Sequence, residues 1–138
     1  MRAILIDDEP IGIRTVKKLL ELNCPEVEVI ATCTDAETGK QKIEELNPDV
    51  VFLDIQMPEL SGMDLIKAIN GKAKVILTTA YSEFALESYE LDVVDYLLKP
   101  VRLPRFLQAV QKAIKETEEN AEEDHSVHDL EDDYIFVK

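Results

Sequence analysis

The sequence predicts an α/β protein in which a five-stranded parallel sheet is doubly wound, with helices on both faces. Five short β-branched or leucine-rich runs recur along the chain, most of them continuously apolar, as strands covered on both faces must be. Segments of helical period stand between the runs, and this alternation is what right-handed crossovers require. A length of 138 residues with 46% hydrophobic content suits one well-buried core and leaves no room for two.

The first run is Ala3-Ile4-Leu5-Ile6, and the second is Val27-Glu28-Val29-Ile30-Ala31. Between them Ile13, Val16, Leu19 and Leu20 form an apolar stripe, with Pro10 near its start, where a missing N–H costs a helix nothing. Ile43 and Leu46 belong to a second helix closed by Asn47-Pro48, and Val50-Val51-Phe52-Leu53 is the third strand. Leu65, Ile66 and Ile69 mark a third helix that stops at Asn70-Gly71, before the fourth strand Lys74-Val75-Ile76-Leu77-Thr78. Phe84, Ala85, Leu86 and Tyr89 mark a fourth helix, and Val93-Val94-Asp95-Tyr96-Leu97-Leu98 the fifth strand. The last helix runs from about Leu103 to Lys115, with Phe106, Leu107, Val110 and Ile114 on one side.

Beyond residue 118 the apolar period disappears. Ten carboxylates fall between Glu116 and Asp133 without one Lys or Arg, so this segment carries most of the net charge of −14 and reads as a self-repelling, extended linker whose start can prolong the last helix for a turn or two. Tyr134-Ile135-Phe136-Val137-Lys138 then restores a strand-like run, read as the first strand of a further domain; an ordinary C-terminal tail is the alternative. The expected organisation is a domain over residues 1–118, an acidic linker over 119–133 and an incipient strand over 134–138.

The acidic balance argues against a nucleic-acid surface on this chain, because phosphate binding needs clustered cations. The opening apolar run is far too short for a secretion signal or a membrane span, so a cytoplasmic protein that does not engage the membrane is expected. Cys24 and Cys33 lack ligand-like spacing and read as reduced core residues. His125 and His128 sit in the acidic segment without further ligands and read as solvated side chains rather than a metal site.

In doubly wound sheets the binding crevice lies at the carboxyl ends of the strands, beside the point where strand order reverses. The residues just after the runs are Asp7-Asp8-Glu9, Asp54, Thr79-Ala80 and Lys99-Pro100. Asp7, Asp8 and Asp54 should converge there, and carboxylates so close repel one another. A hard divalent cation such as Mg2+ resolves the conflict, since it favours carboxylates, a carbonyl, waters and a phosphate oxygen. It also makes a carboxylate a usable phosphoryl acceptor, with Asp54 as nucleophile and Asp8 as metal ligand. Lys99 supplies a mobile cation for the transferred oxygens and the Thr79 hydroxyl a donor, while Pro100 implies a sharp turn, plausibly around a cis peptide.

Taken together, Asp7-Asp8-Glu9-Pro10, Leu53-Asp54-Ile55-Gln56-Met57-Pro58, Gly62, Thr79-Ala80 and Asp95-Tyr96-Leu97-Leu98-Lys99-Pro100 resemble the receiver domain of two-component response regulators over about residues 1–118. The resemblance implies a flavodoxin-like (βα)5 fold with strand order 2-1-3-4-5. It implies Mg2+ held directly by Asp8 and Asp54, through water by Asp7, and by the backbone carbonyl of Gln56, with Gly62 ending the loop after the acceptor. It implies phosphorylation of Asp54 by a sensor histidine kinase, and a switch in which Thr79 moves inward and the Tyr96 ring follows. The face formed by the fourth helix, fifth strand and last helix is then remodelled, with homodimerisation through it as the outcome. Gln56 and Tyr81 are the implied controls on dephosphorylation. The stretch from Ser82 to Tyr89 and the residues after it are similar to receivers that precede LytTR-type (LytR/AlgR-like) DNA-binding domains, so DNA would be reached only through a domain absent from this chain.

Two other classes fit less well. A phosphatase of the haloacid dehalogenase type resembles a D-x-D pattern after its first strand, whereas Asp54 follows the third and Gln56 stands two beyond it. A flavin or nucleotide binder wants a Gly- or Ser/Thr-rich loop where Asp7-Asp8-Glu9 would repel phosphate. Within the family, a receiver acting alone through protein contacts is the alternative to a DNA-binding regulator.

Overall fold

The computed structural model describes residues 1–54, 62–69, 71–80 and 93–128. In chain order the elements are β1 (Arg2–Ile6), α1 (Pro10–Asn23), β2 (Glu28–Cys33), α2 (Ala36–Leu46), β3 (Val50–Asp54), α3 (Gly62–Ile69), β4 (Lys74–Thr79), β5 (Asp95–Leu98) and α4 (Leu103–His128). All pairings are parallel and the order is β2-β1-β3-β4-β5, the doubly wound sheet expected. The expected fourth helix, around Phe84 to Tyr89, lies outside the described residues.

Local chemistry sets the boundaries. Pro10 opens α1, and the backbone N–H of Cys24 closes it on the Leu20 carbonyl. Asp35 caps α2 by accepting the Thr38 N–H at 2.7 Å, and Asn47 ends it in the left-handed conformation at φ 50°. Gly71, at φ 82°, makes the turn into β4, a conformation that favours a residue without Cβ.

Strand alternation divides the core in two. Ala3, Leu5, Phe52, Ile76 and Leu97 point to the face covered by α1 and α4, where Phe52 and Phe106 stack with ring centroids 5.8 Å apart. Ile4, Ile6, Val51, Leu53, Val75 and Leu77 point to the face covered by α2 and α3. Because both faces are covered, the central runs read as continuously apolar; each large side chain buried here contributes about 1.5–3 kcal/mol.

One boundary differs from expectation. Helix α4 continues to His128, ten residues beyond the 118 boundary, through the start of the segment read as an extended linker. The first turns of α4 bury Phe106, Ala109, Val110 and Ala113 and so supply a costly nucleus; a Glu-rich continuation then propagates cheaply despite its charge. Residues 129–138, including the strand-like run, lie outside the described residues.

Candidate functional site

Sheet order reverses beside β1 and β3, and the site forms where these strands end together with β4 and β5. Asp54 is the last residue of β3, and Asp7 follows β1 directly, its N–H donating to the Cys33 carbonyl at 3.0 Å. Both carboxylates are buried, and the Thr79 side chain at the end of β4 is fully enclosed. Lys99 follows β5, with its own N–H donating to the Thr79 carbonyl at 2.6 Å, and the Lys99–Pro100 peptide is cis.

The Lys99 ammonium lies 3.1 Å from Asp7 Oδ2, 3.3 Å from Asp54 Oδ2 and 3.7 Å from Glu9 Oε1. Residues separated by 92 and 45 positions in sequence thus meet around one cation. Burial pulls the Lys99 ammonium toward deprotonation, but the hydrogen bond it donates to Asp7 and the Asp54 charge outweigh it, so its pKa stands above the ordinary lysine value. The ammonium therefore stays charged across the physiological range and offsets two buried carboxylates that would otherwise repel.

The structure groups three carboxylates whose oxygens lie within 4.8 Å of one another, Asp7, Glu9 and Asp54. Sequence reasoning expected Asp8 as the third. Asp8 is half-buried and stands outside this group, because the turn in which the Glu9 N–H donates to Asp7 Oδ1 at 2.9 Å brings Glu9 round to the Asp7 side. Sequence reasoning also passed over Gly12. Any Cβ there would collide with the Asp7 carboxylate, so α1 can lie against the site only because this residue has none.

Several expected residues are only partly visible. Gln56 and Tyr81 lie outside the described residues. Gly62 is the first residue of α3, and Tyr96 is half-buried on β5, packed against the core layer under α2 and α3. Cys24 and Cys33 are free and buried; burial first, then neighbouring carboxylates, raise both thiol pKa values and keep them in the inert thiol form. His125 and His128 lie in the last turn of α4. Among the described residues no helix is long and apolar enough to cross a membrane.

The sequence matches the family model of the response regulator receiver domain over residues 3–111. The chain belongs to the response regulator receiver family. This receiver is 40% identical over 118 residues to an uncharacterized response regulatory protein of Vibrio cholerae, covering 84% of this chain and 49% of that protein. It is 31% identical over 130 residues to the sensory transduction protein LytT of Bacillus cereus, covering 92% of this chain and 52% of LytT. Among solved structures, the receiver domain of AraT from Geobacillus stearothermophilus matches with TM-score 0.79 and 31% identity, covering 87% of this chain and 97% of that one. The response regulatory domain of mrkE from Klebsiella pneumoniae also reaches TM-score 0.79, at 28% identity over 86% of this chain and 99% of that one. The receiver spans about half the length of the relatives it matches. Receiver domains are phosphoacceptor switches of two-component systems, phosphorylated by sensor histidine kinases, and they generally bind Mg2+ at an acidic pocket.

Proposed function

We propose that this receiver takes a phosphoryl group on Asp54 in a Mg2+-dependent reaction and transmits the change through β5 and α4. The observation that carries the reading is the single ammonium of Lys99 set between Asp7 at 3.1 Å and Asp54 at 3.3 Å, at the carboxyl ends of the strands. A cation held by two buried carboxylates is positioned to follow charge when charge is added to one of them.

The donor set suits Mg2+. It consists of hard carboxylate oxygens at the end of β3 and in the turn after β1, which is the ligand class this ion takes. Asp8, Asp54 and the Gln56 carbonyl would hold it directly and Asp7 through water, with Glu9 adding charge at the rim. When bound, Mg2+ offsets negative charge on the incoming phosphoryl group and on Asp54.

An Asp54 oxygen attacks phosphorus in line, and the bond from phosphorus to the phosphohistidine nitrogen of the kinase breaks, leaving its electron pair on the imidazole. Lys99 moves its hydrogen bonds from the free carboxylates to the transferred oxygens, and the Thr79 hydroxyl donates to another. The space Thr79 gives up admits the Tyr96 ring, which couples the site to the outer face of β5. The free energy of the switch is the difference between these contacts in the two states. Gln56 and Tyr81, two positions beyond Asp54 and Thr79 in sequence, would set how long the acylphosphate lasts.

The similarity to LytT, and relatives about twice as long, support residues 1–118 as the receiver, residues 119–133 as an acidic connector and residues 134–138 as the start of a LytTR-type DNA-binding domain. The protein would act in the cytoplasm, meet DNA through that domain alone, and dimerise when phosphorylated through the face formed by the fourth helical segment, β5 and α4. Sedimentation with and without beryllofluoride tests this last step: a monomer under both conditions at high concentration refutes it for this chain. The phosphoacceptor assignment is tested by incubating the protein with a small acyl phosphate and Mg2+ and measuring intact mass. One phosphoryl group in the parent and none in Asp54→Asn is expected; phosphorylation of Asp54→Asn, or repeated turnover of a phosphate ester, overturns it.

A further inference from the structure

Among the described residues β5 is an edge strand, bonded to β4 on one side. Lys99 extends from it, yet its ammonium has to reach carboxylates on β3 and β1. β3 lies two strand spacings away, about 10 Å, so small shifts in β5 and the turn after it move the ammonium off its partners.

On the outer side of β5 a paired contact spans this turn. Arg105, in the first turns of α4, donates from Nη1 to Asp95 Oδ2 at 2.8 Å and from Nη2 to Asp95 Oδ1 at 2.6 Å. Arg105 Nη2 also donates to the Tyr96 carbonyl at 3.0 Å, while the Tyr96 N–H donates to Asp95 Oδ1 at 2.8 Å. Both main-chain groups of Tyr96 are thus held by the Asp95–Arg105 pair. The pair ties the start of β5 to the start of α4 across the segment that carries Lys99. Burial opposes ionisation of Asp95, but the Arg105 hydrogen bonds outweigh it and hold its pKa below the usual carboxylate value.

We propose that Arg105, acting through Asp95 and the Tyr96 main chain, is a positioning residue for Lys99, closing the β5–α4 corner so that the ammonium rests between Asp7 and Asp54. The inference deepens the phosphoacceptor reading and rests on it. Arg105 touches neither the carboxylate cluster nor the phosphoryl group; its effect passes through the strand. A bidentate guanidinium suits this, because it fixes angle as well as distance, whereas an ammonium at the same position holds only distance.

The test compares the parent, Arg105→Ala, Arg105→Lys, Lys99→Ala and the Arg105→Ala/Lys99→Ala double variant. Three quantities are measured: the rate of phosphorylation by acetyl phosphate at saturating Mg2+, Mg2+ affinity, and the Lys99 side-chain NMR signals. Arg105→Ala should slow phosphorylation about tenfold, as displacement of a reacting partner by a fraction of an ångström does. Arg105→Lys should recover part of the rate, and Mg2+ affinity should hold, since the carboxylates belong to β1 and β3. In the Lys99→Ala background Arg105→Ala should add nothing, because both act through one ammonium. A parent rate in Arg105→Ala, or an equal further slowing in the Lys99→Ala background, overturns the inference. If the parent itself takes no phosphoryl group, the phosphoacceptor reading has failed instead. In that event, Lys99 signals unchanged by either Arg105 substitution overturn the positioning role on its own terms.

Discussion

Replacing Lys99 with methionine keeps most of the side chain's apolar stem and removes its charge. The Asp7 and Asp54 side chains are only 8% and 6% exposed, so they lose a cation at 3.1 and 3.3 Å and face one another across a site that water barely reaches. Removing one partner of a buried ion pair costs about 3–5 kcal/mol. The Lys99 side chain is 24% exposed, which places the loss toward or below the lower end, about 2–3 kcal/mol. Mg2+ occupies the same electrostatic role, so saturating Mg2+ should return most of the lost stability to Lys99→Met and stabilise the parent less. The assay is urea unfolding of both proteins, in chelator and in Mg2+, with the slope of the transition checked for constancy. Equal midpoints for the two proteins in chelator, or a Mg2+ gain no larger in the variant, would refute the argument that Lys99 holds these carboxylates together.

Asp8→Ala should abolish Mg2+ binding and phosphorylation, whereas Glu9→Gln should weaken Mg2+ binding only severalfold because Glu9 is exposed; calorimetric titration that finds Asp8→Ala unchanged counts against the metal assignment. Asp95 has its folded pKa depressed, so its stabilising contribution is present above the unfolded value near 3.8 and is lost as pH falls through the folded value. The stability gap between the parent and Asp95→Asn, about 1 kcal/mol or less, should therefore persist at neutral pH and close below about pH 4, which thermal unfolding across pH will read. Tyr81→Glu should shorten the acylphosphate lifetime, since a carboxylate orients water that an aromatic ring excludes; an equal or longer lifetime by intact mass shows that Tyr81 is no shield.

The fold was legible because the strongest local signal, continuous apolar runs at β1, β3 and β4, coincides with the strongest global constraint, burial on both faces. That Asp7, Asp54, Thr79 and Lys99 share one edge was legible because each ends or directly follows a strand, and strand ends meet at one edge whatever the side chains. Glu9 drew no expectation of its own, since its place at the rim beside Asp7 goes with a hydrogen bond from the Glu9 N–H to Asp7 that no periodicity encodes. Gly12 gave no signal at all; its role is the space it leaves for Asp7, a fact of packing. Arg105 drew no expectation because its partner sits ten residues away on another element. The length of α4 was misjudged because charge repulsion was weighed without the nucleus that its packed first half provides.

That length gives α4 a mechanical consequence. A helix of 26 residues extends about 39 Å, and its foot is fastened at the corner where Arg105 grips Asp95. A tilt of about 10° at the foot would sweep the His128 end through about 7 Å, larger than the rise of a full helical turn. The receiver thus carries a lever on its exit side, and an ångström-scale adjustment beside Lys99 would arrive at the next segment of the chain as a displacement the size of a side chain.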